Sequence, residues 1–293
     1  KYLNADGYDM YSQRYGGEHN FHNITYSLGG AWEASDKLSL SSNIGVAWRA
    51  PQVNELYSSG LHHGAGTYNL GDSSLHPETG VKWITALDYK NPDKGIDLSV
   101  DAYAQVIKGY IYDYPTGETR TLFSGVYPIF QYTQADAFFR GADLEALIRL
   151  AQWHDHSQSL SYEFRGALVF ANELKTGRYF PFIPAPRLSQ SLLWKSAPRD
   201  IFQSLEASIG HTFVAKQTRF EPSQELVATT PEAYHLFEAA IGGTINIGQH
   251  QSLGIRFSGE NLLNKLYKEY TNRFRYYAHD LGRNIYLRLN YNF

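Results

Sequence analysis

The chain closes on Asn284-Ile285-Tyr286-Leu287-Arg288-Leu289-Asn290-Tyr291-Asn292-Phe293, and this stretch decides the fold. Ile285, Leu287, Leu289, Tyr291 and Phe293 share one parity, while Asn284, Tyr286, Arg288, Asn290 and Asn292 share the other. Successive side chains of a strand point to opposite faces, so the segment has one apolar face and one polar face carrying an arginine. A soluble sandwich strand can alternate in the same way. The pattern recurs, however. Ile96, Leu98, Val100, Ala102, Ala104 and Val106 oppose Asp97, Ser99, Asp101, Tyr103 and Gln105. Leu38, Leu40, Ile44, Val46 and Trp48 oppose Ser39, Ser41, Asn43 and Arg49. Leu160, Tyr162, Phe164, Leu168 and Phe170 oppose Ser159, Ser161, Glu163 and Arg165, and Leu253, Ile255 and Phe257 oppose Gly254, Arg256 and Ser258. Charge recurring on the second face over ten or more residues fits strands with an outer face in lipid and an inner face on a wet lumen.

Composition is consistent with that reading. Mean hydropathy is −0.41 and no run of eighteen apolar residues occurs, so there is no transmembrane helix. A membrane barrel needs no such run, because polar lumen residues dilute its hydropathy. The 26 Lys and Arg against 29 Asp and Glu leave a net charge of −3, with no basic face for nucleic acid. The absence of cysteine excludes a disulfide framework and any thiolate site. No secretory signal opens the chain, as expected of a mature chain or a fragment.

Eleven strands are expected, at about 21–34, 37–49, 79–91, 95–112, 125–150, 157–174, 186–196, 203–219, 232–247, 250–263 and 283–293. Five connections are short and alternate with five longer ones, 50–78, 113–124, 175–185, 220–231 and 264–282. Outer-membrane barrels place short turns in the periplasm and long loops outside, which puts every long segment, with 1–20 as the tail of another, on the extracellular side. An eleven-stranded sheet that starts outside and ends inside cannot close by up-and-down pairing without leaving two edges in lipid. The chain therefore reads, over 1–293, as the C-terminal half of a larger barrel. Its other half is expected to be disordered, on another chain, or cleaved off within the polar, Gly-containing segment 1–20. A miscount of strands is the alternative.

Three stretches carry a family resemblance. Trp48, Arg49, Ala50 and Pro51 precede Asn54, Glu55, Leu56 and Tyr57, and then come Leu75, His76, Pro77 and Glu78. Phe139-Arg140-Gly141-Ala142-Asp143-Leu144-Glu145 follows in mid-chain, with Ala142 and Asp143 in place of the more usual glycine-aliphatic order. Near the end stand Glu260-Asn261-Leu262-Leu263-Asn264-Lys265-Leu266-Tyr267, then Gly282-Arg283-Asn284 and the terminal Phe293. These resemble, in order, the arginine-alanine-proline and leucine-x-proline-glutamate boxes, the mid-barrel glycine-acidic segment and the penultimate-strand box of the TonB-dependent outer-membrane receptors. The resemblance implies a barrel of about 22 strands around an N-terminal plug, active import across the outer membrane, and coupling to the TonB energy-coupling complex through that plug. It also implies extracellular loops that bind ligand and an outer surface in contact with lipopolysaccharide and lipid. The plug is not in this sequence.

The segment 50–78 gathers His62, His63, His76, Asp72, Glu55, Glu78, Tyr57 and Tyr68. Neutral imidazole suits zinc, copper or haem iron, so His62, His63 and His76 are expected as metal ligands, with zinc or haem as the transported ligand and no built-in cofactor. Adjacent histidines on an extended strand point opposite ways, and the turn needed to bring them together is open to Gly60, Gly64 and Gly66. The competing reading makes the boxes structural and the histidines solvated; for Pro51, Glu55 and Glu78 the structural reading is the expectation. A second cluster comprises Tyr267, Tyr270, Arg273, Arg275, Tyr276, Tyr277, His279 and Asp280. Arg273 and Arg275 can grip a carboxylate or phosphate bidentately, and Tyr276 of this cluster with Tyr57 and Tyr68 of the first segment complete the expected ligand-binding set; a charged rim against lipopolysaccharide or an ordinary aromatic girdle is the alternative. His154, Asp155 and His156 read as a solvated periplasmic turn. No glycine-x-serine-x-glycine occurs, and Ser58 and Ser59 near His62 are proximity alone, so an enzyme is not expected. The expected function is uptake of a scarce nutrient, a metal or metal chelate (zinc, haem or siderophore). A structural or adhesive barrel and a passive porin are the alternatives.

Overall fold

A computed structural model describes residues 2–8, 14–153, 157–197, 202–248 and 251–293. In chain order the elements are β1 (Tyr2–Tyr8), β2 (Arg14–Asn20), β3 (Tyr26–Ser35), β4 (Leu38–Arg49), α1 (Val53–Tyr57), β5 (Ser59–His62), β6 (Thr67–Leu70), β7 (Glu78–Asn91) and β8 (Ile96–Leu122). There follow β9 (Gly125–Trp153), β10 (Gln158–Glu173), β11 (Arg187–Ser196), β12 (Phe202–Val214), β13 (Tyr234–Asn246), β14 (Ser252–Glu260) and β15 (Asn284–Asn292). Two 3-10 turns lie at Pro222–Gln224 and Arg273–Tyr276.

The large sheet is antiparallel along the path β15-β14-β13-β12-β11-β10-β9-β8-β7-β4-β3, so each of the eleven expected strands is present and pairs with its sequence neighbours. Among the described residues β3 and β15 are its edges and do not pair with each other; the sheet is not closed. The segment 1–20, expected as the tail of an extracellular loop, carries the hairpin β1-β2, separate from the large sheet. The expected outer loop 113–124 is corrected. β8 runs on to Leu122 and β9 starts at Gly125, 27 and 29 residues long where about 10 suffice to cross the membrane. The register slips between Pro115 and Thr119, with Gly117 at φ 80°, so the glycine that resembles a strand breaker is absorbed in a bulge. The triad His154-Asp155-His156 lies outside the described residues.

Register carries the two faces from strand to strand. Ile241, Phe257 and Leu287 sit side by side on β13, β14 and β15, each more than half exposed. Leu98 opposes Ala146, and Val100 opposes Leu144, on the same surface. So broad an apolar exterior is what a lipid-facing wall requires. The other surface is polar: Arg256 pairs with Glu206, Arg288 stands in register with Arg256, and Asp97 joins Asp88, Lys90, Glu145, Glu163 and Arg165 around one polar hollow. Gly141 belongs to this inner face for a steric reason. A Cβ there would come within 2.6 Å of both the Tyr103 ring and the Leu168 carbonyl oxygen, so the glycine of the mid-chain segment makes room for a tyrosine lying across the sheet. Gln190, His211 and His235 break the pattern on the apolar face, and satisfy one another: Gln190 bonds His211 at 3.1 Å, and His211 bonds His235 at 2.9 Å.

Candidate functional site

The extracellular mouth begins where β4 ends. Arg49 Nη1 donates to both oxygens of Glu55, at 2.7 and 3.0 Å, and its Nε donates to Glu78 at 2.8 Å. Glu55 also accepts the Gln52 backbone N–H, completing a capping box on α1, while Glu78 accepts the Ile111 N–H. One arginine thus ties the start of the first long loop to its end and to β8. Buried Leu56, Leu75 and Ile111 pack beneath this clasp, with Tyr57 and Tyr132 against them. Gly71 passes so close to α1 that a Cβ would meet the Leu56–Tyr57 backbone at 2.5 Å. Glu55 and Glu78 take the structural role expected of them, each accepting a backbone N–H, and Pro51 is fully buried beside them in sequence.

Beyond the clasp, β5 and β6 form a hairpin that lies along β9 in parallel register, Tyr68 opposite Ile129. This buries Tyr68, over whose ring the Arg120 guanidinium sits at 5.5 Å. Thr67 donates to Asn69, Asn69 donates to Asp113, and Asp113 pairs with Arg273 of the last long loop. Asp113 is 5% exposed and its Oδ1 has no hydrogen-bond partner. Burial raises its pKa, opposed by Arg273 and, more weakly, by His62. Arg273 keeps 30% of its side chain exposed and lies over the rings of Phe130 and Phe182.

Two residues further on, Arg275 has a different environment. It is 3% exposed, its partner Glu225 is 2% exposed, and it also donates to the Tyr270 carbonyl and to the Tyr276 hydroxyl. Tyr270 and Tyr276 donate to the two oxygens of Glu225, at 2.6 and 2.7 Å. Burial pushes both phenols well above their ordinary pKa; hydrogen bonding to Glu225 adds to the shift, opposed at Tyr276 by the nearby Arg275 charge. This latch joins the loops 220–231 and 264–282, and Phe182 under Arg275 adds the loop 175–185.

Beside the latch, on the inner face, opens a cleft of about 400 Å³ lined by Tyr103, Asp143, Val169, Arg187, Glu269 and Thr271, among others. Arg187 pairs with Glu269, which also accepts the Tyr234 hydroxyl at 2.7 Å. Arg187 and Tyr103 are strand residues facing the lumen, whereas Glu269 and Thr271 come from the last long loop, so the cleft joins wall to mouth.

The expected ligand residues therefore part company. His62 ends β5 and His63 follows in the turn, both exposed; His76 is exposed some way off, its backbone N–H and carbonyl both held by Gln134. Among the described residues no three His, Cys, Asp or Glu side chains are grouped to hold a metal, so His62, His63 and His76 do not form one three-ligand centre here. Tyr68 and Arg275 are buried, Tyr57 is half-buried against the Leu56 cluster, and Tyr276 is half-buried with its hydroxyl engaged in the latch. Of that set His62 and His63 are the most open to solvent, with Arg273 part-exposed. Sequence reasoning passed over Asp113, Glu225, Arg187 and Glu269, which no motif marks. Asp143 lay in the quoted mid-chain segment, where its position after Gly141 was the available signal.

The sequence model described as TonB dependent receptor-like, beta-barrel, matches residues 3–262. The chain belongs to that family. This receptor segment resembles solved structures of the copper transporter OprC (17% identity, TM-score 0.69, 95% of this chain and 40% of that one) and of the FrpB iron transporter from Neisseria meningitidis, F3-3 variant (14%, 0.63, 94% and 39%). It also resembles the siderophore receptor PirA from Acinetobacter baumannii (15%, 0.62, 94% and 42%). At these identities the likeness is one of fold. The receptor segment spans about two-fifths of each of those chains. No curated protein sequence matches it. Its family is one of outer-membrane transport receptors, and its apolar exterior is the surface such a barrel turns to lipid.

Proposed function

We propose that this segment is the C-terminal half of a receptor that actively imports a metal or a metal chelate across the outer membrane. Family membership supports import, and the three structural relatives are a copper transporter, an iron transporter and a siderophore receptor. The observation that carries the reading is the mouth. Loops from four strand connections and the outer end of β8 are clasped together beside an open cleft with charged lining, whereas a display barrel needs no such joint between loops and lumen. The edges β3 and β15 are where an N-terminal barrel half would pair. A plug from that half would occupy the lumen and carry the pull of the TonB complex.

The ligand-contacting groups we assign are His62 and His63 at the hairpin tip, Arg273 beneath, and Arg187 in the cleft. Paired imidazoles favour a borderline metal or haem, and the guanidiniums favour a chelate bearing carboxylates. The test is calorimetry on the complete receptor with zinc, haem and a ferric siderophore. His62→Ala with His63→Ala is expected to weaken zinc or haem binding at least about tenfold, or about 1.4 kcal/mol. Unchanged affinity, or no binding of either by the unaltered receptor, rejects the histidine site. In that event siderophore binding that falls with Arg273→Ala keeps the import reading, and failure of all three ligands removes it.

A further inference from the structure

Most arginines of the mouth and lumen are matched with acids: Arg49, Arg165, Arg187, Arg256, Arg273 and Arg275 each hold a carboxylate. Two on the opposite side of the wall are not. Arg140 stands in register with Ala104 and Phe170, which places it on the apolar, lipid-turned face of β9. Its guanidinium lies 5.4 Å from the Phe138 ring centre and 5.6 Å from that of Phe170. Arg219, in the segment after β12, lies 3.9 Å over the same Phe170 ring. No carboxylate among the described residues is in hydrogen-bond or ion-pair contact with either. Phe170 is three residues from the extracellular end of β10, so both cations stand at the outer border of the membrane band.

Directly toward the bilayer centre from them runs an apolar groove of about 430 Å³ between Leu144, Phe164, Leu168, Leu188 and Phe213. It exists because Ala142 and Gly166 are small. A Cβ at Gly166 would meet nothing closer than 3.6 Å, so the space over it is open. Below the cations lies carbon; at their level a leaflet presents its headgroups. Guanidinium binds phosphate bidentately and loses little hydration in doing so, and here the aromatic ring holds both groups in place. A cation pair with no internal anion above a carbon-lined slot complements a single amphiphile with a phosphate at one end.

We infer that this face docks a phosphorylated lipid of the surrounding leaflet, its phosphate on Arg140 and Arg219 and one acyl chain in the groove over Gly166. The site is independent of what the receptor imports, since a barrel that transported nothing would still meet lipid here.

The test uses the complete receptor in neutral detergent, with native mass spectrometry reading retention of dioleoyl phosphatidic acid against dioleoylglycerol, which has the same chains and no phosphate. The acidic lipid is expected to be retained about tenfold or more over the neutral one, and the double variant Arg140→Gln, Arg219→Gln is expected to abolish the preference. Gly166→Leu should lower retention of both lipids while leaving the preference. If that variant does not fold, dibutanoyl phosphatidic acid replaces it as the probe, and should bind the unaltered receptor far more weakly than the dioleoyl form. Equal retention of the two lipids, or an undiminished preference in the double glutamine variant, overturns the inference. So does equal binding of the short and long acids, or displacement of the lipid by inorganic phosphate alone, because either would mark a free-anion site. Heat-modifiable gel mobility confirms that each variant is a folded barrel.

Discussion

The barrel wall and the extracellular mouth use the same residue types to different ends. In the wall, Arg256 and Glu206 pair across the lumen face at 40% and 42% exposure. In the mouth, Arg275 and Glu225 pair at 3% and 2%, ringed by three tyrosine or backbone donors and acceptors. The first pair is screened by water and contributes little, on the order of 0–1 kcal/mol. The second has left water behind and holds only while both partners and their hydrogen bonds remain. The wall's fold comes from alternation and backbone pairing, so its charges are adjustable. The mouth has no such ladder across its loops, and its order depends on a few buried polar joints.

The largest effect is expected from breaking the latch. Glu225→Ala leaves Arg275 as a buried unpaired charge, at a cost of about 3–5 kcal/mol. The loss should appear as rapid proteolysis within 220–231 and 264–282 while the barrel keeps its heat-resistant mobility. If the barrel itself fails to assemble, the mouth and wall are one cooperative unit and the contrast drawn here is wrong. A smaller effect tests the wall. Ile255, in mid-strand on β14 and opposite Leu289, faces lipid by register, and Ile255→Arg should cost about 2–4 kcal/mol in refolding into vesicles. A neutral result would place this face away from lipid. The mildest probe sharpens the comparison without mutation. Tyr270 and Tyr276 must keep their protons to donate to Glu225, and their pKa values are raised in the folded mouth. Their contribution is therefore complete below the ordinary phenol value of about 10 and is lost as pH rises beyond it toward the folded values. Ultraviolet titration should show these two ionising after the exposed tyrosines, with loop proteolysis rising in step.

The parity of residues such as Leu98, Ile255 and Leu287 against Asp97, Arg256 and Arg288 determined the eleven wall strands and their two faces, because a strand's side chains have a fixed period of two that needs no tertiary information; the small hairpins β1-β2 and β5-β6 carry no such signal. The Arg49–Pro51 and Leu75–Glu78 boxes likewise identified the family, and their structural role could be expected from residue type. What only the tertiary structure decided was which charges are spent. Arg273 and Arg275 are two apart in one loop and alike in sequence, yet one stays part-exposed beside Asp113 and the other vanishes into Glu225, a partner fifty residues away. Nor could sequence separate the unpaired Arg140 and Arg219 from the paired arginines, or see that 113–124 continues two strands. Burial and pairing at a loop-built mouth depend on contacts between segments distant in the chain, and no local period encodes those.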